Sequence, residues 1–528
     1  MENPEVDFLN LLDETTWLDI FDYLDGQSLL KLSLTCDKFR ELIGNSRVLM
    51  KKIKFSINFP EESGEELKKI KKGLETCSKY LTRNYLNLQI KRLRDKILKK
   101  DMRTIFMSII SQFSETVTSL EINNCYLLRD DIVSILQSFG NLVELKLENL
   151  AFSDDLMPSE VVQLNQSSQS ISCPNLKTLH LIQCDFYCLL LLRTHESLQT
   201  LEISMPSYNR TDVEKLEDFL LKQSNLKDFK LTHFRFNSSY SSDRLSKVPF
   251  QLEKLYLKDV YWDIINHCSL FLKSQKKLKH LELKRIRQWI LPKESNYGWF
   301  CDIMKHVLIY NRLEKLVIDT SLSSAYMKDC DFLVDMCNKN VKHLTYIRDS
   351  SDTSELFLIF TRIFPNIQNF VFTDFPQDRS SSMDIIGNLH LFKDLIDLSI
   401  TTKPGSLVNF PQTTAENLTS FYFYATNEDK SLERLKQIFS GKSKIENFGL
   451  NIESLTVEEI IELIVHFSST LKRLSVMDLY LNQTEAELFI RNFPNLRYLT
   501  SDMSISPDVL NILKDNNVTF NKCNGKKN

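Results

Sequence analysis

Two cysteine pairs are the residues whose type and spacing come nearest to a chemical site. Cys184 and Cys188 are separated by three residues, and Cys330 and Cys337 by six. Thiolates so spaced could hold a metal ion, but neither pair has a second ligand pair at a useful spacing, so we expect buried thiols. The eleven cysteines form an odd, scattered set. This favours reduced thiols over the disulfide framework of a small secreted domain.

Signatures of enzyme chemistry are absent from the sequence. It contains no His-Glu-x-x-His, Cys-x-x-Cys or Gly-x-Ser-x-Gly and no glycine-rich phosphate loop, and only 11 of its 528 residues are glycine. Histidines could still meet a Ser or Cys partner across the fold, which sequence order does not reveal. We therefore predict a protein that is not an enzyme and has no catalytic residue, no cofactor and no metal.

The composition describes a folded protein without a polyanion-binding signature. Hydrophobic residues make up 42% of the chain, and 66 basic against 69 acidic residues give a formal charge of -3. Wrapping of nucleic acid is therefore not expected. The first residues are acidic and polar, and no run approaches 18 apolar residues, so we expect a cytoplasmic or nuclear protein that contacts no membrane.

One short apolar template, Leu-x-x-Leu-x-Leu with Ile, Val or Phe as substitutes, recurs fifteen times. Its first positions run from 117 to 496, about 27 residues apart, which is a leucine-rich-repeat period. The copies are Val117/Leu120/Ile122, Leu142/Leu145/Leu147, Leu176/Leu179/Leu181, Leu198/Leu201/Ile203, Leu226/Phe229/Leu231, Leu252/Leu255/Leu257, Leu278/Leu281/Leu283, Leu313/Leu316/Ile318, Val341/Leu344/Tyr346, Ile367/Phe370/Phe372, Leu395/Leu398/Ile400, Leu418/Phe421/Phe423, Ile445/Phe448/Leu450, Leu471/Leu474/Val476 and a decayed Leu496/Leu499/Ser501.

Each copy predicts one short strand followed by a turn and a helix. The alternation within a copy buries one face of a strand, and residues between copies often have helical spacing. Such a unit can cover its apolar face only by stacking on its neighbours. The fold class is therefore α/β, a leucine-rich-repeat solenoid with a parallel strand ribbon on its concave side. Cys125 and Cys184, which follow two of the strands, resemble the cysteine-containing subtype of the leucine-rich-repeat family.

Residues that flank the strand leucines should point to the open face of the ribbon, where a partner could bind. Tyr side chains often concentrate binding energy, so Tyr256, Tyr422 and Tyr424 are the predicted anchors for a protein substrate. Lys254 and Lys258 flank Tyr256 and could accept an acidic or phosphorylated peptide. The alternative is that each of these side chains is an ordinary solvated residue of the repeat.

The first 50 residues do not follow the repeat and predict three short helices instead. Trp17, Ile20, Phe21 and Leu24 fall at helical spacing, and two further apolar segments follow Gly26. About 40 residues cannot bury enough surface to be stable alone, so this unit should pack on a partner or on the rest of the chain.

This segment resembles the F-box. The runs LDETTWLDIFDYLD (12–25) and LLKLSLTCDKFREL (29–42) match its pattern of Leu-Pro, Ile-Phe, two leucines, Val-Cys, an aromatic and Leu without a gap. Asp13 stands in the usual proline position and Thr15 in the usual acidic position. The resemblance implies adaptor-facing or supporting roles for seven residues, namely Leu12, Leu18, Ile20, Phe21, Leu24, Leu34 and Phe39.

The two resemblances together divide the chain into an F-box at 8–50, a basic helical linker and N-terminal capping repeat at 51–103, the solenoid at 104–502, and a C-terminal cap with a polar tail at 503–528. The basic segment has 16 basic and 7 acidic residues, which we interpret as a solvated helix face. Within it, Tyr85, Leu86, Leu88 and Ile90 predict an atypical first strand.

The F-box and leucine-rich-repeat family implies a function. In that family the F-box docks on a Skp-type adaptor of a cullin-based ubiquitin ligase, and the repeats hold the protein substrate. The chain would then be the non-catalytic substrate receptor of such a complex. The main alternative is a leucine-rich-repeat scaffold that has an F-box but no role in degradation.

Overall fold

The computed structural model describes residues 12–59, 64–80, 84–94, 100–152, 173–184, 188–189, 197–205, 210–236, 244–262, 266–288, 298–309, 312–319, 336–348, 354–374, 380–402, 407, 410–425, 430–439, 444–451 and 455–523. The chain divides into two compact units, residues 1–252 and 253–528. Each unit is described by itself. No helix in the described ranges is long and apolar enough to cross a membrane.

The first unit begins with four helices, α1 Glu14–Asp22, α2 Gly26–Leu32, α3 Asp37–Asn45 and α4 Arg47–Met50. The three predicted helices are present, and α4 is an additional short one. Asp13, in the proline position of the F-box pattern, caps α1 by accepting a hydrogen bond from the Thr16 backbone N–H at 2.8 Å. Gly26 is the first residue of α2. Glycine is required at this position because a Cβ there would lie 1.9 Å from the carbonyl oxygen of Lys52.

The rest of the first unit is a parallel sheet whose order is β1-β2-β3-β5-β7-β8-β9. Its strands are β1 Lys54–Asn58, β2 Asn87–Lys91, β3 Ser119–Asn123, β5 Glu144–Glu148, β7 Thr178–Ile182, β8 Thr200–Ser204 and β9 Asp228–Phe236, with a separate pair β4 Tyr126–Leu127 and β6 Ala151–Phe152. Its other helices are Gly64–Tyr80, Lys100–Phe113, Arg129–Gln137 and Arg210–Lys222, with a 3-10 turn at Leu245–Lys247.

The second unit repeats the same arrangement, with parallel strands in chain order except that β12 pairs with β10. The strands are β10 Lys254–Trp262, β11 His280–Lys284, β12 Arg287–Gln288, β13 Lys315–Asp319, β14 His343–Arg348, β15 Asn369–Asp374, β16 Asp397–Thr402, β17 Ser420–Ala425, β18 Asn447–Asn451, β19 Arg473–Val476, β20 Tyr498–Ser501 and β21 Thr519–Lys522. The helices are Asn266–Ser274, Gly298–Ile309, Ser354–Ile363, Ser380–Gly387, Gln412–Asn417, Lys430–Ile438, Val457–Ile464, Gln483–Asn492 and Pro507–Asp515, with 3-10 turns at Leu389–Leu391 and Val465–Phe467.

The leucine template forms the core of both units. All fifteen copies form strands, and every template residue is at most 7% exposed. Helices cover this face of each sheet: Phe357, on the helix Ser354–Ile363, lies 5.7 Å from Phe370 of β15 between ring centroids. The prediction of a leucine-rich-repeat fold is therefore confirmed. The opposite face of each sheet carries the x residues of the template, and we call it the open face.

The position three residues after the last template residue is also buried in six copies. Cys125, Leu150, Cys184, Phe234, Val260 and Ile286 are at most 2% exposed. The Cys184 Sγ donates a hydrogen bond to the carbonyl oxygen of Leu147 at 3.1 Å, so the thiol bonds to the strand of the preceding repeat. Burial raises the pKa of Cys125 to about 11. These two cysteines are small core residues with inert thiols.

The described residues of the basic segment are helical only in part. Lys68, Lys69 and Lys72 are exposed on the helix Gly64–Tyr80, as expected of a solvated face. Ile90 and Leu93, in contrast, lie in β2 and just after it, where both are buried, so they are not part of a solvated helix face. Strand β2 forms where the sequence predicts a first strand, but β1 precedes it in the sheet.

Candidate functional site

The amino-terminal helices close around three aromatic rings. Trp17 and Phe39 have ring centroids 4.9 Å apart, and Phe21 lies 5.1 Å from Phe39 and 5.7 Å from Trp17. All three side chains are buried. Two of the seven adaptor candidates, Phe21 and Phe39, are therefore core residues that can support a docking surface but cannot contact a partner directly.

Other adaptor candidates point outward. The exposed fraction is 42% for Ile20 and 68% for Leu34, and Leu12 is also exposed. Leu18 and Leu24 are half-buried. When large exposed apolar side chains form a contiguous patch, they often mark a binding surface.

Two more exposed apolar residues lie on these helices and were not among the sequence candidates. Tyr23 is 92% exposed at the end of α1, and Val48 of α4 is also exposed. Tyr23 follows Ile20 by three residues, a spacing that places two residues on the same face of a helix. That spacing could have identified Tyr23 from the sequence.

Below these helices, the first unit contains a polar cleft of about 580 Å³. Its walls include the α3–α4 junction and the turns that precede β2, β3, β5 and β7. Asn141, one of its lining residues, donates from its side-chain amide to the carbonyl oxygen of Glu115 at 2.8 Å. In the second unit, Asn366 and Asn495 make the same bond to the preceding repeat. Asn141 thus links two repeats.

The open face of the first unit carries paired charges at the central x position. Lys146 lies between Glu121 at 3.9 Å and Glu148 at 2.7 Å. Further along, Glu202 binds both the His180 imidazole at 2.8 Å and the Lys230 ammonium at 2.6 Å. These contacts, led by the His180 hydrogen bond, lower the pKa of Glu202 to about 2. Sequence reasoning did not single out this ladder, although all its residues except Glu148 occupy the same template position in neighbouring copies.

The predicted lysine cluster lies on the open face of the second unit. Lys254 is exposed, while Tyr256 and Lys258 are half-buried. Strand register places Tyr256 beside Glu282 and Lys258 beside Lys284. The Lys284 ammonium lies 5.9 Å from the Tyr256 ring centroid and 2.5 Å from the Glu282 carboxylate. Glu282 therefore neutralises part of the positive charge that would attract an acidic peptide.

The second predicted pair, Tyr422 and Tyr424, lies on β17 of the same unit. Both side chains are half-buried on the open face, and burial raises the pKa of each phenol. Gly449 is the register partner of Tyr422 on β18. A Cβ on Gly449 would lie 2.2 Å from Tyr422 Cδ1, so the tyrosine ring lies directly against the glycine backbone.

Among the described residues, no group of three or more His, Cys, Asp or Glu side chains is arranged to hold a metal ion. Cys184 and Cys188 are buried thiols that form no disulfide. Cys337 is exposed, contrary to the expected burial, and Cys330 lies outside the described residues.

Comparisons with known proteins agree with this geometry at the amino-terminal helices. Residues 15–56 match the family model described as F-box-like. No curated protein matches the chain. Similar solved structures include the leucine-rich-repeat-containing protein LegL7 from Legionella pneumophila (13% identity, 68% of this chain and 99% of that chain, TM-score 0.32) and a chain of the Rad7 and Elc1 complex from yeast (12% identity, 97% of this chain and 96% of that chain, TM-score 0.32). The chain carries an F-box-like domain at its amino-terminal end, followed by a leucine-rich-repeat parallel sheet.

Proposed function

We propose that this protein is the substrate-recognition subunit of a ubiquitin ligase of the Skp, cullin and F-box type. The observation that carries the proposal is the F-box-like match at residues 15–56 on a helical unit whose aromatic core is closed while Ile20 and Leu34 stay in water. In this proposal a Skp-type adaptor covers the exposed apolar side chains, and the adaptor connects the chain to the cullin scaffold.

The leucine-rich repeats would bind the protein substrate on their open faces. Such a subunit contributes proximity and orientation to ubiquitin transfer and performs no chemistry itself. It needs neither a cofactor nor a metal, and it would act in the cytoplasm, the nucleus or both. The predicted substrate contacts are Lys254, Tyr256, Lys258, Tyr422 and Tyr424.

Adaptor binding can be tested with substitutions that leave the aromatic core intact. The variant Ile20→Asp with Leu34→Asp places two charges at exposed positions, so folding should be preserved and co-purification with a Skp-type adaptor should be lost. Tyr480→Asp is a matched control, because Tyr480 is also 68% exposed but belongs to the second unit. Phe21 is unsuitable for this test because it is 1% exposed and its substitution would unfold the domain. Unchanged adaptor capture by the double variant would disprove the proposal.

The alternative function, a scaffold with an F-box but no role in degradation, makes a different prediction. A substrate receptor should shorten the half-life of at least one bound protein. The half-life of that protein should lengthen equally in cells whose receptor carries Ile20→Asp with Leu34→Asp and in cells that lack the receptor. Pulse-chase proteomics measures both. If no bound protein changes its half-life while the adaptor still binds, the scaffold function is favoured.

A further inference from the structure

A row of uncharged residues crosses the open face of the second unit. We call it the neutral track: it consists of the central x residues of seven successive strands, β14 to β20. Strand register places each residue beside the next. The members of the neutral track are Thr345, Val371, Ser399, Tyr422, Gly449, Ser475 and Thr500.

The row on the carboxyl side of the neutral track is uncharged as well from β14 to β18. It consists of Ile347, Thr373, Thr401, Tyr424 and Asn451. The row on the amino side contains Asp397 and Arg473. The Asp397 carboxylate accepts hydrogen bonds from the Asn369 amide and from the Thr419 hydroxyl, and Arg473 lies 4.7 Å from the Tyr498 ring centroid.

This lack of charge is a local property and not a general feature of the repeat. In the first unit the same central position carries Glu121, Lys146, His180, Glu202 and Lys230 on β3, β5, β7, β8 and β9. On seven successive strands of the second unit it carries only Thr, Ser, Val, Tyr and Gly. The two open faces therefore offer a partner different chemistry.

Tyr422 is held in place at the middle of the neutral track. Its ring occupies the space above Gly449 that any other side chain would fill, with Cδ1 2.2 Å and Cε1 2.9 Å from the position of a Cβ. An aromatic ring that is fixed before binding loses little conformational freedom when a partner docks on it. Tyr424 lies two residues further along β17, on the same face.

We propose that the neutral track binds an extended, uncharged segment of a partner protein that has an aromatic side chain packed on Tyr422 and Tyr424. This inference rests on the proposed function and specifies its substrate. A charged side chain would lose hydration on the neutral track, and Asp397 and Arg473 of the amino-side row already have contacts of their own, which disfavours acidic and basic segments. The hydroxyls of Thr345, Ser399 and Ser475 can bond to peptide groups of the segment. Seven strands span about 29 Å, which is the length of about nine extended residues.

Synthetic peptides test the chemistry of the ligand. Fluorescein-labelled nonapeptide libraries of Ser, Thr, Val and Gln, each with Tyr, Asp or Lys fixed at the central position, are titrated into the full chain, with and without a Skp-type adaptor. The Tyr library should bind at least about tenfold more tightly than the Asp and Lys libraries, and its affinity should change little with salt. Preference for the Asp or Lys library, or equal binding of all three, would overturn the inference.

Variants test the location of the site. Tyr422→Ala should reduce binding of the Tyr library about tenfold, whereas Tyr422→Phe should retain it. Gly449→Ala should also reduce binding, because its methyl group displaces the Tyr422 ring. Combining Gly449→Ala with Tyr422→Ala should be no worse than Tyr422→Ala alone, because no ring is left to displace. Additive losses in the double variant, or full binding by Tyr422→Ala, would contradict the inference.

The inference and the proposed function can fail separately. Tyr422→Ala should leave adaptor capture unchanged and should still unfold in one cooperative thermal transition. The aromatic control Tyr480→Ala should behave in the same way and should also keep peptide binding. Loss of adaptor capture by Ile20→Asp with Leu34→Asp should leave peptide binding intact. If peptides bind as expected but the wild-type chain captures no adaptor, the neutral track is correct and the ligase function is wrong.

Discussion

Arg348 and Asp374 form an ion pair inside the second unit, with Arg348 Nη1 3.4 Å from Asp374 Oδ2. They are register partners at the ends of β14 and β15, and their side chains are 1% and 0% exposed. Removing one member of a buried pair leaves an uncompensated charge. Arg348→Met should therefore reduce the free energy of unfolding by about 3–5 kcal/mol, as measured by urea denaturation.

The double variant Arg348→Met with Asp374→Leu should recover most of that loss. Replacing both charges by apolar side chains of similar size removes the desolvation cost together with the attraction, and such replacements are often neutral. The double-mutant cycle gives the coupling between the two residues. A double variant that loses the sum of the two single losses would show that the pair is not the stabilising contact.

A left-handed residue follows the strand in many repeats, and its backbone should limit which side chains are accepted there. Gln183 has a φ of 53°, and Asn124, Asn149, Asp259 and Asp478 have values of 50–54° at the equivalent position. Gln183 is exposed, so its side chain contributes little packing. Gln183→Val should destabilise the protein by about 1–2 kcal/mol because a β-branched residue is strained at this φ. Gln183→Asn is the control and should be near neutral; equal stability of both variants in thermal unfolding would contradict this explanation.

Much of the fold could be predicted from the sequence, because the repeat has a strict apolar template. The template found fifteen strands. It missed the two-residue strands β4, β6 and β12 and also β1 and β21, where register places Lys52 and Asn517 at its first position. Both are terminal in the sheet order of their own unit, with one register-paired neighbour each, so they need less apolar surface. The buried ion pair of Arg348 and Asp374 was not predicted, because charged residues are not expected on the buried face of a strand.

The candidate site was harder to predict. Helical spacing identified the apolar residues of the F-box-like domain but not which side of each helix is buried, so Phe21 and Ile20 were treated alike although only Ile20 is exposed. On the open face, the alternation within the template was enough to predict that the Tyr422 side chain points away from the core. The position of its ring depends on Gly449, 27 residues later in the chain, and that contact exists only after the repeats stack.

The charge ladder of the first unit should make stability depend on pH through Glu202. Contacts with His180 and Lys230 lower its pKa from 4.5 to about 2. A carboxylate with a lowered pKa stabilises the folded state above its unfolded pKa, and this contribution is lost as the pH falls through the folded value. Glu202→Gln should therefore be less stable than wild type at pH 7, by at most about 3 kcal/mol. In urea titrations the difference should shrink between pH 4.5 and pH 2; a difference that stays constant over this range would contradict the assignment.

Cysteine reactivity should follow burial. Burial raises the pKa of Cys268 to about 12 and of Cys125 to about 11, whereas Cys337 is exposed. The thiolate is the reactive form, so iodoacetamide at pH 8 should modify Cys337 in the native protein and leave Cys125 and Cys268 unmodified. Peptide mass spectrometry measures the modification at each site, and labelling in urea shows that the protected thiols can react. If iodoacetamide modified Cys268 in the native protein as fast as it modifies Cys337, the repeat that contains Cys268 would have to open, and burial would not explain the reactivity.

The central strand leucines should carry the stability of the repeats. Leu281 of β11 is fully buried, with Leu255 and Leu316 as its register partners on the neighbouring strands. Leu281→Ala removes apolar contacts and leaves a cavity, so it should cost about 2–5 kcal/mol in urea denaturation. Glu282→Ala, one residue away on the open face, removes only the ion pair with Lys284 and should cost about 1 kcal/mol or less. Equal losses for the two variants would mean that the assignment of buried and open faces along β11 is wrong.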